Sequence, residues 1–491
     1  TSLTRLRAPQ RSSMIAAPRG SGNVLLRWIS NGQTPQSEFL KNKTQRPKRE
    51  VPEIPDEARN SVILEQFDNE ADVRSAFWRY SKGYFVLKGK GAQDKKPFLT
   101  FGKFALRENC QCHKCVHPDT RQKTLDTFSI PEDVDVTYIE PGATTVKIGW
   151  SDGHEGLYSW DWLVAHQNIH RFETAQPSSR FPPLRTRTIR EHDAGNSDYP
   201  TILYQDVMSR DDAMLEWLRK IYSVGFCFIK GVPVDPEATK QLIERIAFIR
   251  HTHYGGFWDF TADLTFKDTA YTNEALGGHT DNTYFTDPAR LQLFHLLSHT
   301  DGSGGESLLV DGLAAARKLR KESPEDYVAL TRERHSWHSS GNEDVCIQPS
   351  FRAPVLSIHP DYQRVYQVRW NNYDRAPKSD WSLVAQDRWY GAARRFNKIL
   401  NEQNRQIWTQ LEPGMALIFD NWRMLHGRAE FTGKRRMCGG YVNNDDFISR
   451  LRLLQLGREK VLNSLGSFKQ DHPLGSNTKS SRENGQFHYF V

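Results

Sequence analysis

The strongest constraint on the fold comes from two possible metal ligands, His279 and Asp281, which need a third ligand from a distant part of the chain. His279 and Asp281 are two residues apart, so on an extended strand both would project from the same face. A third ligand has to come from elsewhere, and His426 follows far downstream at the end of an apolar, strand-like run. Two histidines and one carboxylate form the facial triad that leaves open positions on non-haem Fe(II). The sequence therefore predicts a fold that brings distant strands together around iron.

A His-x-Asp pair by itself is a weak signal, since such pairs are common in purely structural settings. Support comes from the residues that follow His426 on the next predicted strand. Arg435 is placed there, and its guanidinium could hold the distal carboxylate of a dicarboxylic co-substrate through paired hydrogen bonds. The neighbouring Arg436 is an open alternative for this role, and a solvated charge at a strand edge is the other interpretation of either arginine.

The catalytic half of the chain alternates short apolar runs with turns, a pattern typical of an antiparallel β structure. Strands are predicted at 224–229, 291–297, 307–310, 355–358, 365–368, 415–419 and 437–442. Amphipathic helices are predicted at 211–221 and 236–250, and Ser323-Pro324 is a helix start with serine as N-cap. We therefore expect a mainly β protein with a helical buttress, in which a double-stranded β-helix (jelly roll) forms the catalytic domain.

Composition divides the chain into four parts. These are a targeting leader and linker at 1–57, a small β-rich domain at 58–170, the jelly-roll domain at 171–465 and a polar tail at 466–491. The first acidic residue is Glu38, and five arginines precede it without a long apolar stretch. Such a leader is typical of mitochondrial transit peptides, so we expect the mitochondrial matrix. A disordered basic tail, with a cytoplasmic location, is the alternative.

Three cysteines packed together mark the small domain, namely Cys110, Cys112 and Cys115. Thiolates this close repel one another unless a soft cation joins them, and three thiolates with one imidazole form a closed structural zinc shell. His154, just after the 151–153 turn, is the best candidate for the fourth ligand. His113 and His117 are nearer in sequence but would strain the loop. The alternative is a set of unmetallated cysteines.

A set of aromatic residues accompanies the predicted iron ligands: Tyr254, Trp258, Tyr271 and Tyr441. Aromatic faces around a pocket attract quaternary ammonium groups by cation–π forces. The competing interpretation is that these side chains belong to the hydrophobic core. Asp268, three residues before Tyr271, is a candidate partner for a substrate ammonium.

Charge and hydropathy argue against two classes of partner. The net charge of +7 is modest for 491 residues, and the sequence contains no basic stripe with interleaved aromatics. We therefore expect no nucleic acid as a partner. No apolar run approaches the roughly 20 residues that a membrane-spanning helix needs, so we expect no membrane partner.

In combination these motifs resemble the Fe(II)- and 2-oxoglutarate-dependent oxygenases of carnitine biosynthesis, the gamma-butyrobetaine dioxygenase family. The resemblance covers roughly residues 75 to 460, and its motifs lie at 107–115, 270–272, 278–281, 304–307 and 420–428. It implies iron on His279, Asp281 and His426 and zinc on the three cysteines with His154. It further implies a dioxygenase that uses 2-oxoglutarate and O2, with ascorbate as reductant, and that acts on a small molecule as a homodimer.

The resemblance also implies roles around the pocket. Arg435 and Ser307 would bind 2-oxoglutarate, and the four aromatic residues would enclose a trimethylammonium group. Asp268 and Asn372 would contact the other end of the substrate. Because an acidic residue at position 268 suits a substrate with an α-amino group, we expect hydroxylation of trimethyllysine at carbon 3. Gamma-butyrobetaine is the alternative substrate. A non-catalytic reader of methylated lysine is a more distant interpretation, and a DNA-binding zinc protein is more distant still.

Overall fold

The computed structural model describes residues 84–87, 99–166, 199–261, 272–360, 364–378 and 380–466. The predicted leader and nearly all of the predicted tail therefore lie outside the described residues. Two predicted site residues, Asp268 and Tyr271, also lie outside them.

The N-terminal part is a small antiparallel structure followed by a helix. Its elements are β1 (Tyr84–Leu87), β2 (Leu99–Gly102), α1 (Lys103–Glu108), a 3₁₀ turn (Thr127–Ser129), β3 (Val136–Pro141), β4 (Thr145–Trp150), β5 (Glu155–Ser159) and α2 (Trp160–His166). The alternating pattern of residues 145–150 predicts a strand, and β4 confirms it. Val146 and Ile148 point from β4 into a core shared with Leu106 of α1 and Tyr158 of β5, so the strands and the two helices pack as one unit.

The larger part begins with a helical layer and continues into strands. Its first elements are β6 (Thr201–Leu203), α3 (Tyr204–Ser209), α4 (Asp211–Val224), β7 (Phe226–Lys230), α5 (Pro236–Glu244), β8 (Trp258–Thr261), β9 (Leu276–His279), β10 (Leu291–Thr300), β11 (Ser307–Asp311), α6 (Gly312–Glu322) and α7 (Pro324–Arg332). Gly225 ends α4 at a φ of 102°, a left-handed conformation that favours glycine, and its N–H donates to the carbonyl of Ile221.

The remaining elements complete two sheets, add a two-stranded ribbon of β12 and β13, and contribute further helices. They are β12 (Leu356–Ile358), β13 (Val365–Val368), α8 (Leu383–Leu400), a 3₁₀ turn (Gln403–Arg405), β14 (Gln406–Thr409), β15 (Met415–Asp420), β16 (Met424–Arg428), β17 (Lys434–Val442), α9 (Asn444–Leu456) and α10 (Arg458–Ser464). The major sheet has the order β6-β7-β15-β10-β17-β8, and the minor sheet has the order β14-β11-β16-β9. All pairs are antiparallel except β6 with β7.

The alternation along β15 shows how this fold builds four layers, with two sheets between two layers of helices. Leu417 and Phe419 point between the two sheets, whereas Ala416 and Ile418 point outward against α4 and α5. Both faces are buried, so the strand is apolar throughout. The minor sheet is covered in the same way, because the outer side chains of β11 and β16 pack against α6, α7 and α8. Helices on both outer faces close a jelly roll, which confirms the predicted fold class.

Several predicted boundaries were wrong for local reasons. The helix predicted at 236–250 ends at Glu244, because the chain then turns and Arg250 N–H donates to the carbonyl of Tyr441. β17 begins at Lys434, three residues before the prediction. The apolar run before His426 is two strands, β15 and β16, joined by a turn. Helices α8, α9 and α10 were not predicted at all. None of the described helices is both long and apolar enough to cross a membrane.

Candidate active site

The three predicted iron ligands meet at one end of the minor sheet. β9 and β16 pair so that His279 lies directly opposite His426, and the centroids of the two rings are 4.4 Å apart. Nε2 of His279 lies 3.3 Å from Oδ1 of Asp281, and Nε2 of His426 lies 3.7 Å from Oδ2 of the same carboxylate. The three ligand atoms lie within 4.8 Å of one another. The register of the two strands thus brings together residues that are far apart in sequence.

Asp281 is positioned by a side chain and not by the strand itself. β9 ends at His279, so the predicted arrangement of both ligands on one extended strand was wrong. The carboxamide of Asn421 accepts from the Asp281 N–H at 2.7 Å and donates to the Asp281 carbonyl at 3.0 Å. Asn421 is buried in the turn between β15 and β16. This double hydrogen bond fixes the backbone of one ligand to the turn that precedes the third ligand.

Hydrogen bonds around the ligands leave their metal-facing atoms directed inward. Nδ1 of His279 lies 2.9 Å from the carbonyl of Gly277, which holds the proton on that nitrogen and leaves Nε2 for a metal. Oδ2 of Asp281 accepts from Gln292 at 2.7 Å and from the Tyr441 hydroxyl at 3.0 Å. Histidines and carboxylates that bind metals in other proteins commonly make such hydrogen bonds, which fix the orientation of the ring and of the carboxylate.

The pKa values of the triad fit a cation-binding site. Burial raises the pKa of Asp281, but His426 and His279 outweigh that effect and hold it well below its usual range. Burial and the neighbouring His279 lower the pKa of His426 to about 3, so this ring is neutral at physiological pH. Burial also lowers the pKa of His279, yet the Asp281 carboxylate raises it overall. One carboxylate and two imidazoles with two inward-facing nitrogens are a donor set that suits Fe(II).

Two adjacent arginines on β17 face opposite sides of the sheet. Arg435 is buried and lines the same pocket as the triad, and its Nε has no hydrogen-bond partner among the described residues. Burial and the nearby Arg428 lower its pKa to about 10, so it stays charged at neutral pH. Arg436 is exposed and forms two hydrogen bonds with Asp259 on the outer face. Of the two candidates, Arg435 is the one that reaches the pocket. Ser307 of β11 also lines it.

Three of the four predicted cage residues line this pocket, whereas the fourth, Tyr271, is not described. The ring of Trp258 packs against the ring of Tyr441, with centroids 6.3 Å apart. Gly439 lies opposite Trp258 in the β17–β8 register, and a side chain there would collide with the indole. Tyr254 approaches the pocket from the loop before β8, and its hydroxyl lies 3.4 Å from that of Tyr284. Tyr441 contributes its ring to the aromatic pocket and its hydroxyl to the metal site, where it contacts Asp281.

Asn372 does not lie in the catalytic pocket. Its side chain is exposed and accepts a hydrogen bond from Arg375 at 2.8 Å. Its neighbour Asn371 is buried and lines the pocket instead. Pocket residues to which the sequence reasoning gave no role include Gln292, Tyr284, Phe294, Tyr373, Asp374 and Arg428. A signal was present for Gln292, because it is a polar residue inside an otherwise apolar strand, and for Arg428, which ends the family motif at 420–428.

The second metal-ligand cluster lies in the N-terminal part. Nε2 of His154 lies 3.3 Å from the sulfur of Cys110, 3.6 Å from that of Cys112 and 3.5 Å from that of Cys115. Zinc bonds of about 2.3 Å to sulfur and about 2.0 Å to nitrogen at tetrahedral angles place such atoms roughly 3.5 Å apart. The four residues therefore fit a closed zinc shell. His117 turns away, because its Nδ1 accepts from the N–H groups of Asp119 and Thr120.

A buried arginine supports this cluster. Nε of Arg107 donates to Asp152 at 2.8 Å, and its Nη1 lies 3.6 Å from the sulfur of Cys115. Asp152 in turn accepts from the N–H of His154. Burial and the two neighbouring thiols raise the pKa of Cys110 to about 12, so a bound cation is needed to ionise it. The arginine ties the cysteine loop to the turn that carries the histidine.

Comparison with known proteins assigns both parts of the chain. Residues 183–441 match the family model of the taurine catabolism dioxygenase TauD, TfdA family. Residues 94–164 match the N-terminal domain of gamma-butyrobetaine hydroxylase-like proteins. The first match spans the jelly roll with the triad, and the second spans the cysteine cluster. The chain is thus a dioxygenase of an iron and 2-oxoglutarate class.

Relatives with curated names narrow the class. The trimethyllysine dioxygenase of Neurospora crassa is 44% identical over 79% of this chain and 89% of its own length. The mitochondrial trimethyllysine dioxygenase of Homo sapiens is 34% identical, over 77% and 87%. The gamma-butyrobetaine dioxygenase of a Pseudomonas species is 33% identical, over 72% and 90%. The chain belongs to the TauD, TfdA dioxygenase family and, within it, to the group of the trimethyllysine dioxygenases, which confirms the predicted resemblance.

Proposed function

We propose that this protein hydroxylates N6,N6,N6-trimethyl-L-lysine at carbon 3 and couples this reaction to decarboxylation of 2-oxoglutarate to succinate and CO2. This is the first step of carnitine biosynthesis. The convergence of His279, Asp281 and His426 beside an aromatic pocket carries the proposal, together with the 44% identity to a named trimethyllysine dioxygenase. A binding module would need the aromatic residues but not an open-sided metal triad, which argues against a non-catalytic reader.

Iron(II) held by the triad would supply the activation of O2 that this chemistry requires. The residues of the chain position the reactants around it. Gly277 keeps the proton of His279 on Nδ1, and Gln292 and Tyr441 hold one oxygen of Asp281. His279 and Asp281 therefore present defined atoms before any reactant binds, and this fixed geometry lowers the cost of orienting the reactants.

Arg435 would hold the distal carboxylate of 2-oxoglutarate, with Ser307 close by. Nε of the buried Arg435 has no hydrogen-bond partner in the part of the chain that the structure describes, so a charged acceptor would compensate its desolvation. The charge of Arg436 is already compensated by its ion pair with Asp259. The pocket also contains Arg428, so an incoming dianion would meet two positive charges.

Tyr254, Trp258 and Tyr441 would enclose the trimethylammonium group by cation–π contact, with Tyr271 completing the cage. Asp268 remains our proposed partner for the substrate ammonium. Asn372 is assigned no direct contact, since Asn371 is the asparagine that lines the pocket.

The remaining roles rest on chemistry and on relatives. Zinc in the cysteine cluster would be structural, because a shell of four protein ligands has no open position. Animal relatives carry the designation mitochondrial, which supports a mitochondrial location for this chain. Ascorbate as reductant and a homodimeric assembly complete the proposal.

The test is mass spectrometry of the products after incubation with Fe(II), 2-oxoglutarate, ascorbate and either trimethyllysine or gamma-butyrobetaine. We expect a mass gain of one oxygen on trimethyllysine, with stoichiometric succinate. Turnover of gamma-butyrobetaine alone would replace our proposal with the sibling reaction, which the Pseudomonas relative represents. Absence of turnover with both, together with retained binding of trimethyllysine, would support a reader.

A further inference from the structure

The loop between β9 and β10, residues 280–290, connects the metal site with the substrate pocket. Asp281 near its start belongs to the metal-binding triad, and Tyr284, three residues later, is buried and lines the pocket. The hydroxyl of Tyr284 lies 3.4 Å from that of Tyr254, one of the residues proposed to enclose the trimethylammonium group. The course of this loop therefore affects both the metal site and the substrate pocket.

The main chain of the loop has to be held by other parts of the molecule. Asn282 has a φ of 57°, in the left-handed region that asparagine tolerates, and its carbonyl accepts from the N–H of Phe285 at 2.9 Å to close a turn. Residues 281–290 belong to no strand or helix. Carbonyls of such a turn that lie away from water need hydrogen-bond donors from outside the turn.

One buried side chain supplies several of these donors. Arg369, directly after β13, is 5% exposed. Its Nη1 donates to the carbonyls of Phe285 at 2.9 Å and Thr283 at 3.3 Å, and its Nη2 donates to the carbonyl of Thr286 at 2.7 Å. The planar guanidinium presents five N–H groups in fixed directions, so it can hold three carbonyls at once, whereas a lysine offers a single nitrogen.

The charge of Arg369 strengthens these contacts. Burial lowers the pKa of Arg369 to about 10, so the guanidinium remains protonated at neutral pH. Hydrogen bonds from a charged donor are roughly twice as strong as neutral ones. The guanidinium carbon also lies 5.9 Å from the ring centroid of Trp337, which packs in one cluster with Tyr284 and Tyr254. Arg369 thus contacts both the main chain of the loop and the aromatic cluster beneath the pocket.

A different side chain holds the metal ligand at the start of the loop. Asn421 hydrogen-bonds to the N–H and to the carbonyl of Asp281. This anchor does not involve Arg369, whose contacts lie at residues 283–286 on both sides of Tyr284. The two side chains therefore hold different parts of one loop, one at the metal site and one at the substrate pocket.

We propose that Arg369 is a positioning residue for substrate recognition, which fixes the main chain on both sides of Tyr284. Tyr284 in turn supports Tyr254 at the wall of the pocket. This inference rests on the proposed function, in which the aromatic pocket binds the trimethylammonium group. Loss of the guanidinium should weaken substrate binding but leave the metal site intact, because Asn421 still holds Asp281.

The experiment compares Arg369→Lys with the unchanged enzyme and with Arg352→Lys, a control at an exposed arginine. We expect Arg369→Lys to raise the KM for trimethyllysine by roughly 5- to 50-fold and to leave kcat within about threefold. The KM for 2-oxoglutarate and the affinity for Co(II), measured by its visible absorption, should stay within about twofold. Arg352→Lys should leave all four quantities within about twofold.

A double substitution tests whether Arg369 acts through Tyr284. Tyr284→Ala alone should also raise the KM for trimethyllysine at least fivefold. Combined with Arg369→Lys, it should raise KM by no more than about twofold beyond the larger single effect, because both changes disturb the same wall of the pocket. Single effects that multiply in the double variant would overturn the proposal.

An unchanged KM in either single variant would also overturn the role of Arg369, as would a loss of Co(II) affinity as large as the rise in KM. If Arg369→Lys does not fold, Arg369→Gln, which places no charge in the buried site, serves the same comparison. An unchanged enzyme that acts only on gamma-butyrobetaine would refute the proposed function separately. The same KM comparison, made with that trimethylammonium substrate, would then decide the role of Arg369.

Discussion

At the scale of single residues, two neighbouring arginines show how the strand assigns different roles to identical side chains. Arg435 and Arg436 point to opposite faces of β17, as side chains do along any strand. One is buried in the pocket and the other is paired with Asp259 at the surface. The sequence left these two residues as alternatives because the starting face of the strand depends on its register with β10.

The difference between the two arginines leads to a prediction about Arg435, for which Arg436 provides the control. Arg435→Gln should raise the KM for 2-oxoglutarate by roughly 10- to 100-fold, because the distal carboxylate loses its charged donor. Arg436→Gln removes only a surface ion pair and should leave that KM within about twofold. Steady-state succinate release over a range of 2-oxoglutarate concentrations measures both. Similar KM values for the two variants would mean that Arg435 does not hold the co-substrate.

A second prediction concerns a buried histidine outside the active site. Nε2 of His295 accepts from Gly414 N–H, and its Nδ1 lies 2.7 Å from the hydroxyl of Thr239, so the neutral ring is fully bonded. Burial lowers its pKa to about 4 from an ordinary value of 6.5. Between these values the unfolded chain binds more protons than the folded one, so stability falls as the pH falls from 6.5 to 4.

His295→Gln should flatten this pH dependence of the free energy of unfolding. The expected difference in slope is up to about 1.4 kcal/mol per pH unit, the effect of one proton. Urea unfolding at several pH values from 7 to 4 measures the slope for each protein. Parallel curves would show that His295 does not titrate differently in the folded and unfolded states.

At the scale of secondary-structure elements, periodicity predicted the type of many elements, but neighbours decided where they end. The strands at 415–419 and 307–310 were predicted almost to the residue, because their apolar runs are bounded by turn residues. The helix after Pro236 was predicted too long, since its apolar spacing continues through Ile246 and Ile249 although the backbone leaves the helix. The chain turns after Glu244, and Arg250 then hydrogen-bonds to Tyr441 of β17, a contact that no local pattern in the sequence predicts.

The cysteine cluster allows a prediction about zinc binding and stability that can be tested separately from catalysis. Removing one ligand by Cys112→Ser should release zinc and lower the free energy of unfolding by several kcal/mol, because metal binding and folding are coupled in such shells. Turnover per folded, iron-supplied enzyme should fall by less than about threefold, since a closed shell takes no part in the reaction. Metal analysis and thermal unfolding provide the measurements.

Cys346→Ser is the control, because Cys346 is exposed and outside the cluster. It should retain about one zinc per chain and the original melting temperature. A Cys112→Ser protein that kept both would contradict a structural zinc site. Loss of turnover without loss of stability would instead assign the cluster a catalytic role.

At the scale of the whole molecule, two sheets bring short segments together that are remote in sequence. His279 and His426 meet only because β9 and β16 pair, and Asp281 is held by Asn421 from the turn before β16. The residue types of the triad and of the zinc cluster were predictable from chemistry and from the family resemblance. Asn371 and Asp374 were not assigned roles, because their place in the pocket depends on long-range packing rather than on a local pattern.

The central claim is that the triad is an iron centre that hydroxylates trimethyllysine. Its most direct test is trimethyllysine-dependent release of succinate by the Asp281→Ala protein under saturating Fe(II), beside the unchanged enzyme. Asp344→Ala, which removes an exposed carboxylate outside the pocket, is the control. We predict that Asp281→Ala falls to the level of the enzyme-free reaction, whereas Asp344→Ala stays within about twofold of the unchanged enzyme. Substantial succinate release by folded Asp281→Ala protein would contradict the claim.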